Sequence, residues 1–388
     1  MDFRLTAEQQ RVYDIVGELG RERFAKRARD YDVRAATPLD NLRDLYEGGL
    51  SKLTISKAFG GGGSGALGED PLLSLLVVEQ TARYCPSTAQ CIHIHFNTCH
   101  TVDAIGTTEQ KERLLRPVIE EGTWLNLTGS EPGRTARGLY ALQTTAEEVE
   151  GGFRVTGLKN YATLAADVSH NLLYAVVKGR NMPEAHVGLI VKQGTPGMTI
   201  RHESWNPLGM RAAVSPEIEL KDVFVSHHDQ LGEAGQFQRD RWQAKSHLSF
   251  AQQYVGGCEG IFDILKDYLP KRGTAGETFT QLHLGEIRIA IDSARWLVYR
   301  AIGLWQEGDH AKAELFSMGA KHQAAAAASI TLEKAAQIAG SSAFAEDAPL
   351  SRYFRDLRVQ TLHNNIDQAA ATIGKANLGQ PFDVTARL

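Results

Sequence analysis

Apolar residues at Val12, Ile15, Val16 and Leu19 recur at the three-to-four spacing of an amphipathic helix, and Thr6, with Glu8 and Gln9 close behind, caps it. A second stripe, Leu39, Leu42, Leu45 and Leu50, reaches its end near Gly48-Gly49. From Pro71 to about Tyr84 the chain is almost wholly apolar, with Asp70 as cap and Pro71 at the first helical position, so this helix is buried on most sides. Near Trp124 the period changes. Phe153, Val155, Leu173, Tyr174 and Val176 alternate, and HVGLIVK, GMTIRHE and EIELKDVFV read as further strands separated by Gly194-Thr195-Pro196-Gly197 and Pro207-Leu208-Gly209. Beyond Gly235 the pattern is helical again. Gly256, Gly257 and Gly260 allow close helix approach, and the alanine-rich run from His322 to Ala336 has a small face expected at a subunit interface. The order predicts an α+β chain, with a helical domain over 1–123, a β-barrel-like domain over 124–235 and a helical bundle over 236–388.

Composition narrows the function without naming it. Hydrophobic residues at 43% and charged residues at 23% suit a globular protein with a large core, and a net charge of −4 gives no support for binding nucleic acid or a membrane surface. No stretch approaches a bilayer-spanning apolar run. Cys85, Cys91, Cys99 and Cys258 form no C-x-x-C pair, which fits a reducing cytoplasm.

Two motifs invite chemistry and then lose it. Gly63-Ser64-Gly65-Ala66-Leu67-Gly68 spells G-x-G-x-x-G, but the helix starts later, at Pro71, and Glu69 and Asp70 would face a pyrophosphate. It reads as a flexible loop. His93, His95 and His100 suggest a metal, yet on a helix His93 and His95 point about 200° apart and cannot share one ion. They are either pocket residues or core histidines bonded to backbone carbonyls.

The stretch Ala335–Gln368 carries the strongest signal. It is helical, breaks at Gly340-Ser341-Ser342, passes Pro349, and re-enters a helix with Arg352, Arg355, Asp356, Arg358, Thr361 and His363. Gln337, Gly340, Phe344, Pro349, Arg352, Arg355 and Asp356 resemble the flavin-contacting segment of the acyl-CoA dehydrogenase superfamily, with Ser341 in place of a glycine. Further resemblances follow in order along the chain. They are Ser130-Glu131-Pro132-Gly133 in a flavin loop that departs at Thr135 and Ala136, Tyr161 in place of a stacking tryptophan with Thr163 beyond it, and Leu208–Val225.

The resemblance implies bound FAD, with FMN as the alternative, and a homotetramer that shares its flavin sites between subunits. Gly129, Ser130, Tyr161 and Thr163 would contact the flavin ring, Gln337 and Gly340 would meet the neighbour's cofactor, and Ser341 is a further cofactor-binding candidate. Where many family dehydrogenases carry their catalytic glutamate, this chain has Asn364 beside His363, and a neutral amide cannot take an α-proton. The span His247–Ala251 supplies neither a replacement carboxylate nor an arginine to grip coenzyme A. The T-L-H segment ending at His363 resembles the flavin-dependent monooxygenase branch of the superfamily, dibenzothiophene monooxygenase-like.

The expectation is therefore a monooxygenase acting on a small organic or acyl substrate. It would use reduced flavin from a separate reductase, and O2 would be trapped as a C4a-hydroperoxide. His363, Asn364, and His93 or His95 would line the reacting end. The alternatives are an acyl-CoA dehydrogenase with a non-standard base, or a non-catalytic flavin- or acyl-binding protein.

Overall fold

The computed structural model describes residues 4–133, 142–363 and 366–384. The first helical region contains α1 (Ala7–Leu19), α2 (Ala25–Arg34), α3 (Leu39–Glu47), α4 (Pro71–Tyr84), α5 (Pro86–Ile105) and α6 (Thr108–Glu120). Strands follow: β1 (Asn126–Thr128), β2 (Thr145–Val149), β3 (Gly152–Lys159), β4 (His170–Val177), β5 (His186–Lys192), β6 (Met198–Arg201), β7 (Glu217–Ser226) and β8 (Gln230–Leu231). The last region has the short α7 (Gln236–Arg239) and α8 (Trp242–Lys245), then α9 (His247–Arg272), α10 (Thr278–Gln306), α11 (His310–Ala339), α12 (Pro349–Thr361) and α13 (Ile366–Asn377). Helices thus flank a sheet-containing middle, the arrangement the hydrophobic pattern implies.

Local chemistry explains the helix starts. Thr6 and Gln9 close a reciprocal capping box on α1, and the Asp70 side chain accepts from the Leu72 N–H at the head of α4. The glycine-rich loop before α4 is more ordered than its composition predicts. The Ser64 hydroxyl bridges the Asp70 carbonyl and Ser74, and Lys57 pairs with Glu69 at 2.7 Å. Gly65, at φ 107°, lies so close to His100 that any Cβ there would stand 2.8 Å from the ring.

The sheet runs β6-β7-β3-β2-β4-β5-β8, and β1 also pairs with β4. Strands β1 and β2 lie in line along one edge of β4, both parallel to it, at Asn126–Thr128 and at Thr145–Ala146. The chain must therefore leave the sheet after β1 and return at β2. Asn126, at the start of β1, fastens that strand to β4 by donating to the Asn171 side chain at 2.8 Å.

Helix α9 is buried along most of its first half and packs on α4, α11 and α12. A Cβ on Gly256 would come within 2.2 Å of the Glu79 carbonyl, so the two backbones can touch only through glycine. The small face of α11, Ala324, Ala325, Ala327, Ala328 and Ala335, is buried within the chain, where α11 packs on α9 and α10. Long helices in one bundle consume such a face themselves, and Ile330 is exposed on the other side of α11. Among the described residues, no helix is long and apolar enough to cross a membrane.

Candidate active site

A cavity of about 540 Å³ opens where the end of the sheet meets α5, α9 and the end of α12. The exit from the sheet after β1 delivers Gly129, Ser130 and Glu131 to one wall, and the turn after β3 adds Asn160, Tyr161 and Thr163. Trp205, Met210 and Ser215 complete that side. The opposite wall is helical: His93, Asn97 and His100 from α5, and Ser249 and Phe250 from α9.

Glu131 is the sole carboxylate among the described lining residues, and its oxygens are committed. One accepts from Gln143 N at 2.6 Å, the other from Thr144 N at 3.0 Å and from the buried Lys159 Nζ at 2.8 Å. Burial alone would raise its carboxyl, but the Lys159 charge and the N–H donors outweigh burial and hold it below the usual range. Its role is to fasten the loop to the strand. Thr163 shows a directed hydroxyl chain. Ser215 donates to the Ala213 carbonyl at 2.6 Å, so Thr163 donates to Ser215 at 2.8 Å and turns its own lone pairs toward the cavity.

The histidines part company. His95 does not line the cavity: its Nε2 meets the Ser51 carbonyl at 3.0 Å, and its Nδ1 accepts from Leu125 N at 3.0 Å. Both nitrogens are spent on tying α5 to neighbouring segments. His93 does line the cavity, its ring 4.1 Å from that of Phe250, and burial with the Lys321 charge behind it pushes its pKa down to about 3. His363 sits in the turn after α12 and stacks on Phe250 at 4.5 Å and 29°. Phe250 thus holds an imidazole from each of two distant segments, with Lys321 Nζ 3.9 Å from its ring centre. Asn364, Thr135 and Ala136 lie outside the described residues.

The sheet-side wall fits a flavin. Thr128 Oγ1 and Asn160 Oδ1 are buried without partners there, beside the Gly129–Ser130 backbone and the Thr163 hydroxyl, a row of polar groups suited to the edge of a heterocycle. Tyr161, at φ 51°, is 64% exposed and stands at the rim. Gln337, Gly340 and Ser341 do not line this cavity. Gln337 is exposed and donates to Glu333, and the Arg272 guanidinium holds the Ala339 carbonyl beside Gly340. On α12, Arg355 is structural, bonding Asp32 at 2.6 Å and the Leu208 carbonyl at 2.8 Å.

Sequence reasoning missed Asn97, Ser249, Ser215 and Lys245. Only Asn97 had a signal, four residues after His93 and hence on its helix face.

Comparison with known proteins places these features in context. Residues 6–122 match the family model described as acyl-CoA dehydrogenase, N-terminal domain, residues 126–223 the middle domain, and residues 248–368 the C-terminal domain. The chain is 25% identical to the short-chain specific acyl-CoA dehydrogenase of Clostridium acetobutylicum, across 95% of this chain and 97% of that protein. Its fold matches butyryl-CoA dehydrogenase from Megasphaera elsdenii with a TM-score of 0.88, at 23% identity and 97% and 100% coverage. It also matches dibenzothiophene monooxygenase (TdsC) from Paenibacillus sp. A11-2, with a TM-score of 0.84, at 20% identity and 97% and 99% coverage. The expectation of oxygen transfer is corrected by these matches, because similarity over nearly the whole chain is to acyl-CoA dehydrogenases such as that of Clostridium acetobutylicum. The T-L-H segment is short, and it was outweighed by similarity spread over all three regions.

Proposed function

The chain belongs to the acyl-CoA dehydrogenase family, and from that premise we propose that it is a flavin-dependent dehydrogenase of acyl thioesters with a histidine as its base. The observation that carries this reading is the pairing of His363 with a cavity whose sole described carboxylate, Glu131, is already bonded through both oxygens. His363 supplies a proton acceptor where the expected carboxylate is missing, on a segment that also lines the cavity through Val359 and Gln360.

The family's dehydrogenases use FAD, and bound FAD supplies the two-electron acceptor for the hydride lost from Cβ. The residues of the chain do the rest. Gly129, Ser130, Tyr161 and Thr163 hold the cofactor's ring, while Phe250, Leu248 and Trp242 keep water from the reacting carbons. His363 takes the α-proton, with its ring oriented by the stack on Phe250. The substrate itself brings the electrons, so neither dioxygen nor a separate reductase enters the half-reaction. Exposed Phe279, Leu282, Ile289 and Trp296 on α10 support assembly into a homotetramer.

The test is anaerobic mixing of the FAD-loaded protein with butyryl-CoA and cyclohexane-1-carbonyl-CoA. Bleaching of the flavin and an enoyl-CoA product by mass spectrometry are expected. His363→Ala should slow bleaching by about 10²–10⁴-fold with flavin content unchanged. A flavin that stays oxidised with thioesters of every chain length overturns the proposal.

A further inference from the structure

The helical wall of the cavity sets a cluster of polar side chains among apolar ones, Leu75, Ile94, Phe96 and Leu248. A saturated acyl chain is held by Leu, Ile, Val and Met, which ask nothing of it but area. Here the wall presents Gln90, His93, Asn97 and His100 from α5, facing Ser249 from α9 and Lys245 beside it. Several of these are already partnered, Gln90 Oε1 by Gln253 at 3.0 Å and His100 Nε2 by the Leu67 N–H at 3.4 Å, so the cost of roughly 1–3 kcal/mol for facing a methylene chain unpaired falls on the group that has no partner.

Of this cluster, His93 is the member left short of a partner. Asn97 Nδ2 faces His93 Nε2 at 3.5 Å, while the Ser249 hydroxyl donates to the Ser246 carbonyl at 3.0 Å and stands 3.4 Å from Asn97 Oδ1. His93 therefore accepts at Nε2 and carries its proton on Nδ1. That Nδ1 is buried and has no partner, on a side chain with no exposed surface. A buried N–H with nothing to bond, in the wall of a cavity, is a donor awaiting an acceptor. The partner is neutral. Lys245 is the sole Lys or Arg among the described lining residues, and its ammonium already donates to the Asp240 carbonyl.

We propose that the substrate's tail carries a neutral hydrogen-bond acceptor, a carbonyl, ether or hydroxyl oxygen, that His93 Nδ1–H binds on the α5 wall. This inference rests on the dehydrogenase reading for the thioester at the other end of the molecule. It goes beyond that reading in assigning a polar, oxygen-bearing tail and a specificity-determining residue. His93 recognises the tail, and Asn97 positions it by fixing which nitrogen bears the proton.

The experiment compares matched ligands on the FAD-loaded protein by calorimetry and by perturbation of the flavin spectrum, neither of which needs turnover. One pair is 4-oxopentanoyl-CoA against 4-methylpentanoyl-CoA; the other, without coenzyme A, is cyclohexanone against methylenecyclohexane. The wild-type protein should favour each oxygen-bearing member at least about tenfold, the effect of roughly 1.4 kcal/mol expected for one buried hydrogen bond. His93→Phe, which keeps the ring beside Phe250, should erase the preference, and Asn97→Leu should reduce it. Equal or tighter binding of the hydrocarbon members by wild type overturns the inference, as does an unchanged preference in both variants. If neither thioester binds while cyclohexanone keeps its His93-dependent advantage, the thioester reading fails and the polar site stands. If 4-methylpentanoyl-CoA binds and bleaches the flavin as well as its oxo partner, the dehydrogenase reading stands and the polar site falls.

Discussion

Five histidines are neutral in the fold because of where they lie. Burial pushes His93, His186 and His247 down to about 3, and His95 and His100 down to about 4. The unfolded chain protonates them near 6.5, so as pH falls from there toward 3 it binds protons that the native state refuses. Stability is full above about 6.5 and lost progressively below it, each histidine removing up to about 1.4 kcal/mol per pH unit. Asp356 works the other way between its unfolded range and about 6, because burial raises its carboxyl, and so offsets a minor part. Thermal unfolding should therefore show a midpoint that drops steeply between pH 6.5 and 4.5; a flat profile would contradict the burial of these rings. The sequence could show that His93 and His95 face opposite ways on one helix. It could not show which faced the cavity, because the partners that claim His95, Ser51 O and Leu125 N–H, are backbone groups that leave no trace in residue type.

Among the elements, α9 shows how a small residue sets the distance between helices. Gly256→Ala should force α9 away from α4, costing about 1–3 kcal/mol by overpacking and lowering the urea midpoint at constant slope. Gly285, on α10 with nothing near its missing Cβ, is the matched control and should tolerate alanine. Capped, strongly apolar helices such as α4 were legible because cap, length and periodicity agree within a few residues of one another. The path of β1 and β2 along one edge of β4 was not, because register between distant strands is decided by tertiary pairing. With that path unseen, the source of the cavity wall at Gly129–Glu131 was visible only through resemblance.

For the whole molecule, one exposed apolar stripe lies along α10. Phe279 and Ile289 are 74% and 68% exposed on the same helix. Light scattering should find a multimer for the wild-type chain, and Ile289→Glu combined with Phe279→Glu should give smaller species; a wild-type monomer would remove α10 as an interface. The alanine run in α11 packs within its own chain, since small residues mark close packing without saying whether the neighbour is in the same chain.

Helix α12 bonds to parts of all three regions. Asp356 accepts from Met210 N at 2.6 Å, Arg355 reaches Asp32, Tyr353 donates to the Arg83 carbonyl, and Tyr254 donates to the Gln360 carbonyl at 3.1 Å. This bears on how the protein is made. A ribosome adds about 5–20 residues each second and releases the chain from its N-terminus. Asp32, Arg83 and Met210 therefore wait through most of translation for partners encoded near the end of the message. A nascent chain stalled before Pro349 should remain sensitive to protease and bound by chaperones, and release of the remaining codons should bring protection to early and late segments together.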